Sequence, residues 1–72
     1  MTKKKVEAKL REFFKINFKG DPDEHIAKWM NAEVPAFDGR KPIDMMETEE
    51  GREEIYTDII EFEIGLFNGF VV

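Results

Sequence analysis

The chain has 72 residues and a formal net charge of −5, which is room for one small domain whose core can bury only about 60% of its unfolded surface. It has no cysteine, so disulfides and thiolate metal sites are excluded. His25 is its single histidine and cannot hold zinc alone, and no spaced acidic loop of the calcium-binding kind occurs, so no metal or cofactor is expected.

The charge is unevenly divided. Residues 1–20 hold seven Lys/Arg and two Asp/Glu, whereas residues 21–72 hold four Lys/Arg and fourteen Asp/Glu. An acidic body repels nucleic acid and suits a basic partner or plain solubility. Lys3, Lys4 and Lys5 look like the start of a secretory signal. The next stretch carries Glu7, Lys9, Arg11 and Glu12, and no apolar run approaches the ~20 residues of a membrane span. The expectation is a soluble cytoplasmic protein that engages neither membrane nor nucleic acid.

In chain order, Val6, Leu10, Phe13, Phe14 and Phe18 recur at helical spacing and predict a first helix over 6–18. Gly20 follows as its stop. Asp21-Pro22-Asp23-Glu24 opens a second helix: Asp21 caps, Pro22 takes the first helical position, and Glu24 completes a capping-box pattern. Ile26, Trp29 and Met30 form its apolar side, with Trp29 expected in the core. His25 is expected to be exposed. Pro35 and Gly39 interrupt residues 32–41 as a loop, with Gly39 expected at positive φ. Val34 and Phe37 are expected to fold back onto the core. Pro42 starts a short turn through Met46, and Met30, Met45 and Met46 read as core filling. Thr48 caps a last helix that runs to about Phe67, with Glu49 and Glu50 in its first turn. Asn68-Gly69 is a stop signal, and Phe70, Val71 and Val72 form an apolar tail. No strand alternation persists. The fold class is all-α: a small compact bundle of three to four helices with one structured loop.

The last helix is the most informative. At about 100° per residue, Ile59, Phe62 and Leu66 fall within about 40° of Ile55, and Tyr56, Ile60 and Phe67 widen the stripe. Glu63 lands near 80°, inside that arc. A carboxylate there needs donors; the candidates are the Trp29 indole, Arg40 and backbone N–H groups of the 35–41 loop. Arg40 is in turn expected to bridge to Glu63 or Asp44, or to contact a partner. Ile64 points to the opposite side. Ile64, Leu66, Phe67, Phe70, Val71 and Val72 together exceed what so small a core can bury, which suits partner docking or self-association.

Ala27-x-Trp29-Met30-Asn31, then Pro35 to Met46, then Thr48-x-Glu50-Gly51, resemble a family signature. That signature runs from a Trp-Leu pair through a Pro-Asn-Pro-Ala loop, a Gly-Gly-Arg-Thr-Pro segment and a Leu-Glu-Leu-Leu-like turn to a Thr-x-x-Gly. An Ile-Glu-x-Gly-Val/Leu segment closes it, and here Phe62-Glu63-Ile64-Gly65-Leu66-Phe67 is similar. The family is the MbcA/ParS/Xre antitoxin toxin-binding domain, and the resemblance spans about residues 24–67. Trp29, Pro35, Gly39, Pro42 and Gly51 are its structural positions. Glu33 and Val34 stand where the family has Pro-Asn, Asp38 where it has the first glycine, and Lys41 where it has threonine, which implies a more flexible loop or a different partner. Family members usually carry a helix-turn-helix domain ahead of this one. The roughly 20 residues before the resemblance are too few for it, leaving an excised domain, a truncated paralogue or a stand-alone protein.

The resemblance implies a non-enzymatic, prokaryotic protein-binding module that neutralises a RES-domain toxin, an enzyme acting on NAD. The partner-binding role would fall on Gly65, Leu66, Phe67, Phe70, Val71 and Val72, with Glu63, Ile64 and Arg40 as neighbouring candidates. A regulator binding another host protein and a homo-oligomeric structural module are the alternatives.

Overall fold

A computed structural model describes residues 1–69, apart from the side chains of residues 66–69. It contains α1 (Lys3–Asn17), α2 (Pro22–Met30), a 3-10 turn (Pro35–Phe37), α3 (Pro42–Met45) and α4 (Glu49–Gly69), with no strand among the described residues. The all-α bundle with one structured loop is therefore observed. Among the described residues no helix is long and apolar enough to cross a membrane.

Helix starts follow their capping chemistry. The Thr2 side chain accepts the Lys5 N–H at 3.2 Å, and α1 begins at Lys3 and not at Val6. Satisfying that free donor extends the helix a turn upstream of its apolar face. Asp21 accepts the Asp23 N–H, and Pro22 occupies the first position of α2. The Thr48 hydroxyl accepts the Gly51 N–H at 3.0 Å and starts α4.

The core holds Val6, Leu10 and Phe14 from α1, Met45 and Met46 at α3, Ile55 and Ile59 from α4, and Phe37 from the 3-10 turn. Trp29, Ile26, Met30 and Val34 are partly buried against it. Trp29 meets Phe37 at 6.1 Å and Phe14 at 6.2 Å, both edge-on, so α2 is held between the loop aromatic and α1. Pro42 is fully buried, giving it a packing role besides setting the first turn of α3. His25 corrects the expectation of full exposure. It is half-buried, its ring lies nearly parallel to Phe14 at 6.1 Å, and Nε2 sits 2.6 Å from the Lys19 carbonyl.

The loop before α3 is tied on itself. The Val34 carbonyl accepts N–H groups from Phe37 and Gly39, both at 3.0 Å, and the Val34 N–H donates to the Arg40 carbonyl. Gly39 has φ +80°, as expected, and Asp38 also turns left-handed at φ 57°. Only glycine takes that conformation without penalty; other residues lose roughly 1 kcal/mol. Asp38→Gly is therefore expected to stabilise the domain by about 0.5 kcal/mol, after the extra freedom of an unfolded glycine is subtracted. Urea denaturation of the two proteins checks it.

Candidate functional site

Candidate partner-binding residues fall in two places. Glu63, Ile64 and Gly65 lie on the C-terminal half of α4, and Arg40 lies in the loop beside its N-terminal half. Arg40 donates through Nε to the Phe37 carbonyl and through its terminal nitrogen to Glu54, both at 2.8 Å. The expected bridges to Glu63 or Asp44 are not what forms. Arg40 closes the loop onto the first half of α4, and its partner Glu54 lies about 16 Å along the helix from Gly65 at 1.5 Å per residue.

Glu63 also has a different neighbour from those expected. Neither the indole, nor Arg40, nor the loop reaches it; Lys9 of α1 does, with Nζ 2.9 Å from Oε1. By distance this is a hydrogen bond, yet Oε1 is buried and receives no well-directed donor. Spacing along α4 placed the carboxylate on the correct side of its own helix but could not say which element lay opposite. Glu63, by hydrogen bonding and then by Coulomb attraction, outweighs desolvation and holds the Lys9 ammonium above the usual lysine pKa. A raised lysine pKa stabilises the fold below the ordinary lysine range and loses that contribution as pH rises through the raised value. Glu63→Gln should therefore lose stability at neutral pH, by roughly 1 kcal/mol for a partly buried pair still reached by solvent. The difference from wild type should vanish at strongly alkaline pH in denaturation curves.

The apolar stripe of α4 leaves the core part-way along. Ile59 is 5% exposed, but Phe62 is 52% and Ile64 54% exposed. Gly65 is exposed, and a Cβ built on it meets nothing within 4 Å among the described residues. Leu66 and Phe67 continue the helix backbone, but their side chains lie outside the described residues, as do Phe70, Val71 and Val72 altogether. Gly51, near the start of the same helix, is the opposite case. A Cβ there would overlap the Met45 carbonyl oxygen and come within 2.8 Å of its carbon. Of these two, Gly51 is required by internal packing, whereas nothing among the described residues would meet a side chain at Gly65.

Two features escaped the sequence reading. Arg52 donates to the Met46 carbonyl at 2.7 Å and the Met1 carbonyl at 2.8 Å, tying the end of α3 to α4. A glutamate-rich first turn gave no hint of it. The second is an aromatic wall along α1, where Phe13 meets Phe14 and Phe62 edge-on, each at 5.5 Å, and Phe14 meets Phe18 at 5.2 Å. Helical spacing showed these residues sharing a face but not that they leave a groove.

The model of the antitoxin Xre/MbcA/ParS C-terminal toxin-binding domain matches residues 9–57. That is more than half of the chain. The chain belongs to this family. The match takes in most of α1, all of α2 and α3, the loop and the first half of α4. The segment Phe62–Phe67, resembling the family's closing motif, lies beyond the matched residues. No curated protein and no solved structure matches the chain. A toxin-binding domain implies a protein partner, a toxin. The positions that carried the resemblance have structural roles in this toxin-binding domain: Trp29 and Phe37 in the core contact, Pro35 and Pro42 at first helical turns, Gly39 at positive φ, and Gly51 against α3.

Proposed function

We propose that this toxin-binding domain neutralises a RES-domain toxin in the prokaryotic cytoplasm, docking the C-terminal half of α4 and the following tail over the toxin's NAD-binding cleft. The observation that carries the reading is Gly65, in an α-helix and facing open space beside an exposed Ile64. A glycine inside a helix costs about 1 kcal/mol relative to alanine. Nothing among the described residues recovers that cost, whereas a closely approaching partner surface would. Ile64 supplies an apolar anchor of the kind that helix-in-groove docking uses, with Leu66, Phe67 and the Phe70–Val72 tail as its continuation. The domain contributes occlusion and not chemistry.

Gly65→Ala and Gly65→Arg separate the two roles of this position. Both should raise helicity and leave thermal stability equal or higher. Binding to the toxin should weaken about tenfold for alanine and be lost for arginine in titration calorimetry, while toxin activity on NAD returns. Wild-type affinity in the arginine variant would exclude the end of α4 from the interface. Removing residues 65–72 should likewise abolish binding with most helical content retained by circular dichroism.

A further inference from the structure

A groove of ≈ 280 Å³ runs between α1, α2 and α4. Phe13, Phe14, Phe18, Trp29 and Phe62 wall it, and among the described residues Asp58 is its only charged lining residue. Phe18 and Phe62 are about half exposed, so the walls are accessible. On the side of α4 that carries Asp58, Glu50, Glu53, Glu54 and Glu61 extend along the same strip of helix, as spacings of three and four residues require. Arg40 neutralises Glu54. Asp58 and Glu61 have no cation within ion-pair distance among the described residues, where the ion pairs formed engage other carboxylates. Burial and the neighbouring Glu61 and Glu54 carboxylates hold Asp58 above the usual aspartate range, the condition of a carboxylate that a cation would relieve.

We propose that this groove binds an arginine-bearing apolar segment of a partner protein, its guanidinium on Asp58 and its stem and flanking side chains against the Phe13–Phe62 wall. Two properties of the site select arginine. A guanidinium forms paired hydrogen bonds with a carboxylate while its flat face stacks on aromatic rings; a lysine ammonium is a compact, strongly hydrated point charge with neither the fork nor the flat face. An acidic or neutral segment would leave Asp58 desolvated and uncompensated. Asp58 and Phe62 also border Gly65, so this groove adjoins the docking end of α4; the inference does not depend on the toxin being of the RES type.

Trp29, the single tryptophan of the chain, lines the groove and reports occupancy by its fluorescence. The probe is a blocked pentapeptide of alternating leucine and arginine, titrated beside versions with lysine or glutamate in place of arginine. The arginine peptide should give a saturable change, the lysine peptide several-fold weaker binding and the glutamate peptide none. Asp58→Asn should weaken the arginine peptide about tenfold while circular dichroism shows the fold intact. Phe62→Ala, at a half-exposed position, should weaken all basic peptides. Equal binding by wild type and Asp58→Asn, or no binding by any peptide, would overturn the proposal. So would concentration-dependent dimerisation in sedimentation that Phe62→Ala abolishes, because a second copy would then cover the groove. No toxin enters this test, so failure of the neutralisation reading leaves its outcome unaffected.

Discussion

Phe37→Ala should leave the domain largely unfolded or only marginally folded at room temperature. Phe37 is 1% exposed, and truncating a buried phenylalanine costs about 3–5 kcal/mol. A domain of this length has a total stability of about 4–11 kcal/mol, so the loss is a large share of it. The position matters for a second reason. Phe37 is the residue by which the loop enters the core, Trp29 packs on its edge, and its carbonyl holds Arg40. Removing the ring therefore loosens α2, the loop and the Arg40–Glu54 tie together. Phe62→Ala is the control: half-exposed, it should cost less than about 1 kcal/mol. Thermal unfolding followed by circular dichroism separates the two. Near-equal melting temperatures would contradict the placement of Phe37 at the centre of the fold.

Gly51→Ala should destabilise the domain by about 2 kcal/mol, even though alanine is the better helix former by roughly 1 kcal/mol. The added methyl would strike the backbone of Met45 and not a side chain that can rotate away. α3 would have to withdraw from α4, opening the core at Met45 and Met46, both only 5% exposed. For a domain of this size that corresponds to a fall in melting temperature of about 10 °C. The same substitution at Gly65 should instead be neutral or stabilising. That opposite sign within one helix distinguishes a glycine needed by the fold from one available to a partner.

The starts of α2, α3 and α4 were legible because proline and capping side chains act locally, within three residues of Pro22, Pro42 and Thr48. Gly39 was legible for the same reason, since positive φ is a property of one residue. Thr2 was missed because its helix begins with three lysines that add no apolar periodicity. The left-handed turn at Asp38 was missed because aspartate takes it only in particular turns, and here the bonds to Val34 on either side impose it. Glu63 shows the limit most clearly. Its angle on α4 followed from counting, but its partner Lys9 is set by how α1 crosses α4, which no local spacing encodes. Arg40 and Arg52 likewise reach groups brought close only by the tertiary fold. The family signature was legible because most of it is structural: Trp29, Gly39, Pro42 and Gly51 build the scaffold. The proposed docking end is legible only as an apolar surplus, since its meaning depends on the partner.

Titration calorimetry of this domain against a RES-domain toxin encoded beside it, with toxin activity on NAD followed in parallel, tests the central reading most directly. The account predicts saturable, tight binding with loss of activity, both removed by deleting residues 65–72. Full binding by the deleted chain, or no binding by the intact one, would contradict it.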